Sequence, residues 1–76
     1  MDWDAELDAT GLICPLPVLR ARKRLLGLPQ GAVLRVIADD PAALVDMPHF
    51  CAEQGHELLA RNELGHPRYA WLIRRV

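Results

Sequence analysis

This 76-residue sequence has little of what would place a protein in a membrane, on nucleic acid or outside the cell. No apolar run approaches the roughly 18 residues that a membrane span needs, and the acidic stretch 1–4 is unlike the basic start of a signal peptide. Aromatic residues make up only 5% of the chain, and nine basic side chains are balanced by ten acidic ones. We therefore expect a cytoplasmic protein without membrane attachment or direct, stable nucleic-acid binding.

Cysteine is scarce as well, since Cys14 and Cys51 are the only two in the chain. Small disulfide scaffolds carry more, so we expect both to be free thiols. They form no Cys-x-x-Cys motif, and the three histidines form no pair at helical ligand spacing. We expect no metal site, although His49, Cys51 and His56 could in principle converge.

The apolar residues that are present make up 51% of the chain, which is typical of a compact folded protein. A chain of this length buries only about 60% of its unfolded surface, so every apolar face must be used. We expect one domain over residues 1–76.

The hydrophobic periodicity predicts four strands and two helices. Strict alternation predicts a half-buried strand over 2–8, and the strand at 32–37 is apolar on both faces apart from Arg35, which predicts a place in the sheet interior. The last two strands, 56–63 and 68–75, are joined by a hairpin loop at 64–67. The helices span 15–26 and 41–54.

Two helices between the first three strands require crossover connections, whereas the last two strands form a hairpin. The sequence therefore predicts an α/β fold of the α+β two-layer type, βαβαββ, with a four-stranded mixed sheet and both helices on one face. Pro48 interrupts the second helix. We expect a kink there, or a fresh helical start capped by Asp46.

The first helix begins at a Cys-Pro-Leu-Pro stretch that includes Cys14, Pro15 and Pro17. Proline is favoured at the first helical position, which makes Pro15 the first residue and Cys14 its cap. Both prolines stiffen the backbone, and Gly11 in the preceding turn can take a positive φ. Unpaired N–H groups at a helix start stabilise an anion, so we predict that the Cys14 pKa lies below the free-thiol value of about 8.5.

The stretch 7–17 and further matches downstream resemble the TusA-like (SirA/TusA) sulfurtransferases, small sulfur carriers with a Cys-Pro-x-Pro motif. The matching residues cover nearly the whole chain: Asp8, Gly11, Cys14, Pro15, Pro17, Arg22, Lys23, 38–42, Asp46, Pro48, Cys51 and 55–58. The resemblance implies a βαβαββ fold and a cofactor-free persulfide carrier on Cys14. It also implies a cysteine desulfurase as donor and a downstream sulfur-acceptor protein. Relatives serve tRNA thiolation, molybdenum-cofactor maturation or sulfur oxidation, and Leu16 at the variable motif position does not choose among them.

A sulfur carrier must find its partners quickly, and the first helix carries a basic face formed by Arg20, Lys23 and Arg24. We expect this face to guide partner docking. Arg22 falls within the apolar arc, where its stem covers apolar surface. At two turns from Cys14 it is too far to act directly on the sulfur.

The other polar residues suggest structural roles. Asp39 and Asp40 are typical of a capped turn rather than of an acid–base dyad, and the histidines are interpreted as surface, loop or strand residues. Cys51 lies on the apolar face of the second helix, where burial would raise its pKa. A resolving role for Cys51 would require the two sulfurs to be close.

The sequence is also compatible with a structural or a regulatory role for Cys14. The thiol could be a small hydrophobe at a turn, or the site of reversible oxidation in a redox-sensing interaction domain. A nucleic-acid-binding module is a third alternative, suggested by the basic helix on a sheet. In each case we expect a monomer when no partner is bound.

Overall fold

The computed structural model describes residues 2–76 and has the predicted order βαβαββ. The elements are β1 (Ala5–Asp8), α1 (Leu16–Leu26), β2 (Val33–Ala38), α2 (Ala43–Gln54), β3 (Glu57–Glu63) and β4 (Tyr69–Arg74). Most ends lie within one or two residues of the prediction. The first strand is the exception, because it begins at Ala5 rather than at residue 2, and Trp3 lies outside it. Along residues 2–76 we find no helix with the length and apolar character to cross a membrane.

The four strands form one mixed sheet in the order β1-β2-β4-β3. β1 pairs with β2 in parallel, with Ala5 opposite Leu34, whereas β4 pairs antiparallel with both of its neighbours. β2 therefore lies in the sheet interior, as its apolar run predicted. The β3–β4 pairing has a register irregularity between Leu58 and Ala60.

Both helices pack on the same face of the sheet. Alternate residues of β2 are buried beneath them, and Leu34 and Val36 lie opposite Ile73 and Trp71 of β4. The resulting core joins these four side chains to one set from each helix: Ala21 and Leu25 from α1, and Ala43, Met47, Phe50 and Cys51 from α2. Trp71 is fully buried in this core, and within residues 2–76 its indole Nε1 has no hydrogen-bond partner.

α2 continues through Pro48 as a single helix, so the alternative of a fresh start capped by Asp46 is wrong. Asp46 lies inside the first turn of α2, where its carboxylate is free to contact other parts of the chain. The helix ends at Gly55, whose φ of 76° is left-handed, as expected for a glycine that stops a helix. Its backbone N–H donates to the carbonyl of Cys51.

Candidate functional site around Cys14

The turn that precedes Cys14 is shaped by local hydrogen bonds. The hydroxyl of Thr10, and then its backbone N–H, donate to the Asp8 carboxylate and lower its pKa. Gly11 has a φ of +84°, as its position in the turn predicted, and a residue with a Cβ would be strained there. The turn therefore directs the chain from the end of β1 towards the start of α1.

Three carboxylates from the second half of the chain hold the turn and the thiol. The N–H of Gly11 donates to Asp39 Oδ1 at 2.9 Å, and the N–H of Cys14 donates to Asp40 Oδ2. The Cys14 Sγ donates to Asp46 Oδ2 at 2.9 Å. Asp40 Oδ1 also accepts from the N–H of a residue in its own turn, two positions on. Asp39 and Asp40 thus do more than form the predicted capped turn, because they anchor the loop that carries Cys14.

The start of α1 differs by one residue from the prediction. Leu16 is the first helical residue and Pro15 is the N-cap, with φ −97° and ψ 14°. Cys14 lies one position before the cap, and no side chain caps the helix. The Cys14–Pro15 peptide bond is cis. Pro17 lies in the first turn as predicted, and it is buried.

The prediction of a lowered Cys14 pKa is also contradicted. The hydrogen bond that the thiol donates to Asp46 raises its pKa, and desolvation and the negative charges of Asp46 and Asp40 act in the same direction. Such a hydrogen bond is made only by the protonated sulfur, so it stabilises the neutral form. The helix start contributes partial charges, whereas each carboxylate carries a full charge. The carboxylates therefore act against the helix end and favour the protonated form of the exposed thiol.

A groove of about 500 Å³ opens beside the thiol, between α1 and α2. α1 contributes Val18, Leu19 and Arg22 to its walls. Arg22 was expected mainly to cover apolar surface, but the structure places it in the same groove as Cys14. A ligand or partner segment that fills the groove would contact both residues.

The α2 wall of this groove was not anticipated from the sequence. It consists mainly of Asp46, His49, Phe50 and Glu53, and His49 Nε2 lies 3.0 Å from Glu53 Oε2. Their spacing of three, one and three residues is that of a single helical face. That periodicity was the available signal, but it could not show that this face turns towards Cys14.

Three large apolar side chains close to Cys14 in the chain are exposed. Ile13 is 70% exposed, Leu16 39% and Leu19 51%, and each lies within five positions of Cys14 in the chain. Large apolar side chains concentrated on an exposed surface are typical of a contact site for another protein. The thiol thus lies where a docked partner could reach it.

The basic residues Arg20, Lys23 and Arg24 do not belong to this groove. They line a second groove of about 680 Å³ together with Leu7 of β1, at a different face of α1. Within residues 2–76 none of the three forms an ion pair. Their charges are therefore available to a partner, although not next to the sulfur.

Cys51 is only 2% exposed in the core, and burial raises its pKa to about 11. The two cysteines are not joined by a disulfide. His56 packs against Phe50 at 5.7 Å between ring centroids, and burial, followed by the charge of Arg75, lowers its pKa. Across residues 2–76 no three potential ligands converge, so the conceivable zinc cluster of His49, Cys51 and His56 is not formed.

The fold and the site define a class of protein: a small two-layer domain that presents one proline-flanked thiol at the mouth of a groove between its helices. Comparison with known proteins identifies the family within this class. The family model described as "Sulfurtransferase TusA" matches residues 5–75. The chain therefore belongs to the TusA family.

Curated relatives carry the name "Sulfur carrier protein TusA". The one from Allochromatium vinosum is 46% identical over 74 residues, which cover 97% of this chain and 96% of the relative. The one from Pseudomonas syringae pv. syringae is 53% identical over 57 residues, covering 75% and 68%. Among solved structures, a SirA-like protein from Desulfitobacterium hafniense superposes with a TM-score of 0.82 at 26% identity, covering 93% of this chain and 96% of that one. The predicted family and fold are thus confirmed.

Proposed function

We propose that this protein is a sulfur carrier that accepts sulfane sulfur as a persulfide on Cys14 and passes it to an acceptor protein. One observation carries the proposal: Cys14 is an exposed thiol at an open groove with apolar side chains beside it. Membership of a family whose relatives are named sulfur carriers supports it. The donor would be a cysteine desulfurase, acting in the cytoplasm where both thiols stay reduced.

The transfer is an exchange of one sulfur–sulfur bond for another. The Cys14 sulfur attacks the outer sulfur of the donor persulfide, R–S–S⁻, and a new bond forms between them. The donor sulfur–sulfur bond breaks, its electron pair stays on the inner sulfur, and that sulfur takes up the proton that Cys14 loses. The products are Cys14–S–S⁻ and R–SH, so no net oxidation occurs and no cofactor is consumed. Passing the outer sulfur to an acceptor thiolate repeats the exchange.

Two surfaces would serve docking. The apolar residues beside Cys14 would contact the partner near the reacting sulfurs, whereas Arg20, Lys23 and Arg24 would attract acidic surface from the neighbouring groove. The acceptor could belong to tRNA thiolation, molybdenum-cofactor maturation or sulfur oxidation, since the geometry of the groove favours none of them.

The alternatives have less support. A redox sensor must attack small oxidants with a thiolate that is already present in the free protein, whereas the hydrogen bond to Asp46 stabilises the protonated thiol there. Nucleic-acid binding is disfavoured by the balanced charge of the chain.

Intact mass measured after incubation with a cysteine desulfurase and cysteine tests the proposal. We expect the protein to gain one sulfur atom, and dithiothreitol should remove it. A protein that gains oxygen instead, or nothing at all, would contradict the carrier function.

A further inference from the structure

Asp46 is the charged side chain in direct contact with the sulfur of Cys14. Its Oδ2 accepts from Sγ at 2.9 Å across the groove between the Cys14 loop and α2. Asp40 holds the backbone of the same cysteine through its N–H. Two carboxylates from one region of the chain therefore hold both the backbone and the side chain of Cys14, and the thiol keeps its hydrogen, which it donates to Asp46 Oδ2.

The surroundings leave the Asp46 carboxylate free to act on the thiol. Arg22 faces the groove from α1, while His49 and Glu53 face it from α2 and pair with each other. Asp40 approaches from the turn between β2 and α2. Within residues 2–76 Asp46 forms no ion pair, so its negative charge is not neutralised inside the protein.

The hydrogen bond to Asp46 lowers the reactivity of Cys14 as a nucleophile. The thiolate is the reactive form, whereas a hydrogen-bonded carboxylate stabilises the thiol. A cation placed against Asp46 would reverse the effect, since it would neutralise the carboxylate and lie within a few ångströms of the sulfur. Small electrophiles, oxidants and inorganic polysulfide bring no such cation into the groove. A protein that docks beside Cys14 can.

We propose that Asp46 holds Cys14 as a protected thiol in the free protein, and that the sulfur-donor protein releases the thiolate by placing a lysine or arginine against Asp46 as it docks. The inference rests on the proposed carrier function and names one feature of the donor. Asp46 thereby makes loading selective for a docked protein over small sulfur compounds.

The first test compares Asp46→Asn with Glu53→Gln, a matched control that removes a carboxylate from the same groove without contact to Sγ. Alkylation of Cys14 by iodoacetamide is followed against pH by peptide mass mapping. For Asp46→Asn the midpoint should move to lower pH and the rate at pH 7.5 should rise severalfold, whereas Glu53→Gln should stay close to the wild type. An unchanged or higher midpoint for Asp46→Asn, or an equal shift in both variants, would overturn the proposal.

The second test measures selectivity. Sodium polysulfide loads Cys14 when the thiolate attacks a terminal sulfur of the chain, which leaves Cys14–S–S⁻ and a polysulfide shorter by one sulfur. Asp46→Asn should load from polysulfide severalfold faster than the wild type, and the ratio of loading by a cysteine desulfurase to loading by polysulfide should fall. An unchanged ratio would overturn the role of Asp46 in selectivity.

The two proposals fail in distinguishable ways. Iodoacetamide alkylation requires no sulfur donor, so it reports on Asp46 even if the chain carries no sulfur. Conversely, a wild-type protein that gains no sulfur from any desulfurase while Asp46→Asn shifts the alkylation midpoint would reject the carrier function alone. Circular dichroism at each pH verifies that both variants are folded.

Discussion

The two cysteines of this chain both have raised pKa values, but the main cause differs between them. Cys14 lies exposed on a loop, and its pKa is raised by the hydrogen bond to Asp46. Cys51 lies in the core, and burial alone raises its pKa to about 11. A docked partner can neutralise a carboxylate at the surface, whereas only unfolding can expose a core sulfur. The cause of the shift, rather than its direction, therefore distinguishes the exposed thiol that we propose as the carrier from the buried one.

The largest expected effect is on sulfur loading when each cysteine is exchanged for serine. The result could contradict the distinction drawn between the two cysteines. Cys14→Ser should accept no sulfur from a cysteine desulfurase, because a hydroxyl cannot form a persulfide. Folded Cys51→Ser should load as the wild type does. Intact mass decides between them, and sulfur on the Cys14→Ser protein would show that Cys51 is the carrier.

The alkylation rates of Cys14 and Cys51 in the native protein test the same difference in exposure. Iodoacetamide should modify Cys14 faster than Cys51 by about 100-fold or more, because the core must open before reagent reaches the buried sulfur. Peptide mapping over time measures both rates. In denaturant the two rates should become similar, which controls for intrinsic differences, and equal rates under native conditions would contradict the burial of Cys51.

The two serine substitutions should affect stability in the opposite order to sulfur loading, with the larger effect at Cys51. Cys51→Ser places a hydroxyl among apolar side chains and should lower the free energy of unfolding by about 1–3 kcal/mol if the hydroxyl finds no partner. Cys14→Ser should have nearly wild-type stability, since a serine hydroxyl can also donate to Asp46. Thermal unfolding of both variants gives the measurement, and a larger loss for Cys14→Ser would mean that its loop contributes more to folding than its exposure indicates.

The smallest expected effect is on the rate at which partners associate with the protein. Reversing the charges of Arg20, Lys23 and Arg24 should slow association with an acidic partner and flatten its salt dependence. Stability should change little, because exposed charges contribute little to folding. Stopped-flow association at several salt concentrations tests this, with Arg61→Glu in β3 as a charge-reversal control. Equal kinetics for wild type and the triple variant would assign the basic face to solubility only.

Local sequence patterns were sufficient to predict much of the fold and the positions of the two cysteines in it. The alternation of apolar residues predicted the element order and the interior position of β2, and the helical period of α2 placed Cys51 in the core. These properties depend on which residues share a face, and that is determined by positions only a few residues apart. The same local information singled out Cys14, because prolines beside a cysteine at a helix start are visible in the sequence.

The protonation of Cys14 was decided only by the tertiary structure. Asp40 and Asp46 lie 26 and 32 positions from Cys14 in the chain, and only the tertiary fold brings the β2–α2 turn to its N–H and α2 to its sulfur. The prediction of a lowered Cys14 pKa rested on the helix start alone. Full charges contributed by another element act against the partial charges of a helix end, and no periodicity reveals their distance. The sequence by itself therefore determined which sulfur is presented, whereas the fold determined that it is presented as a thiol.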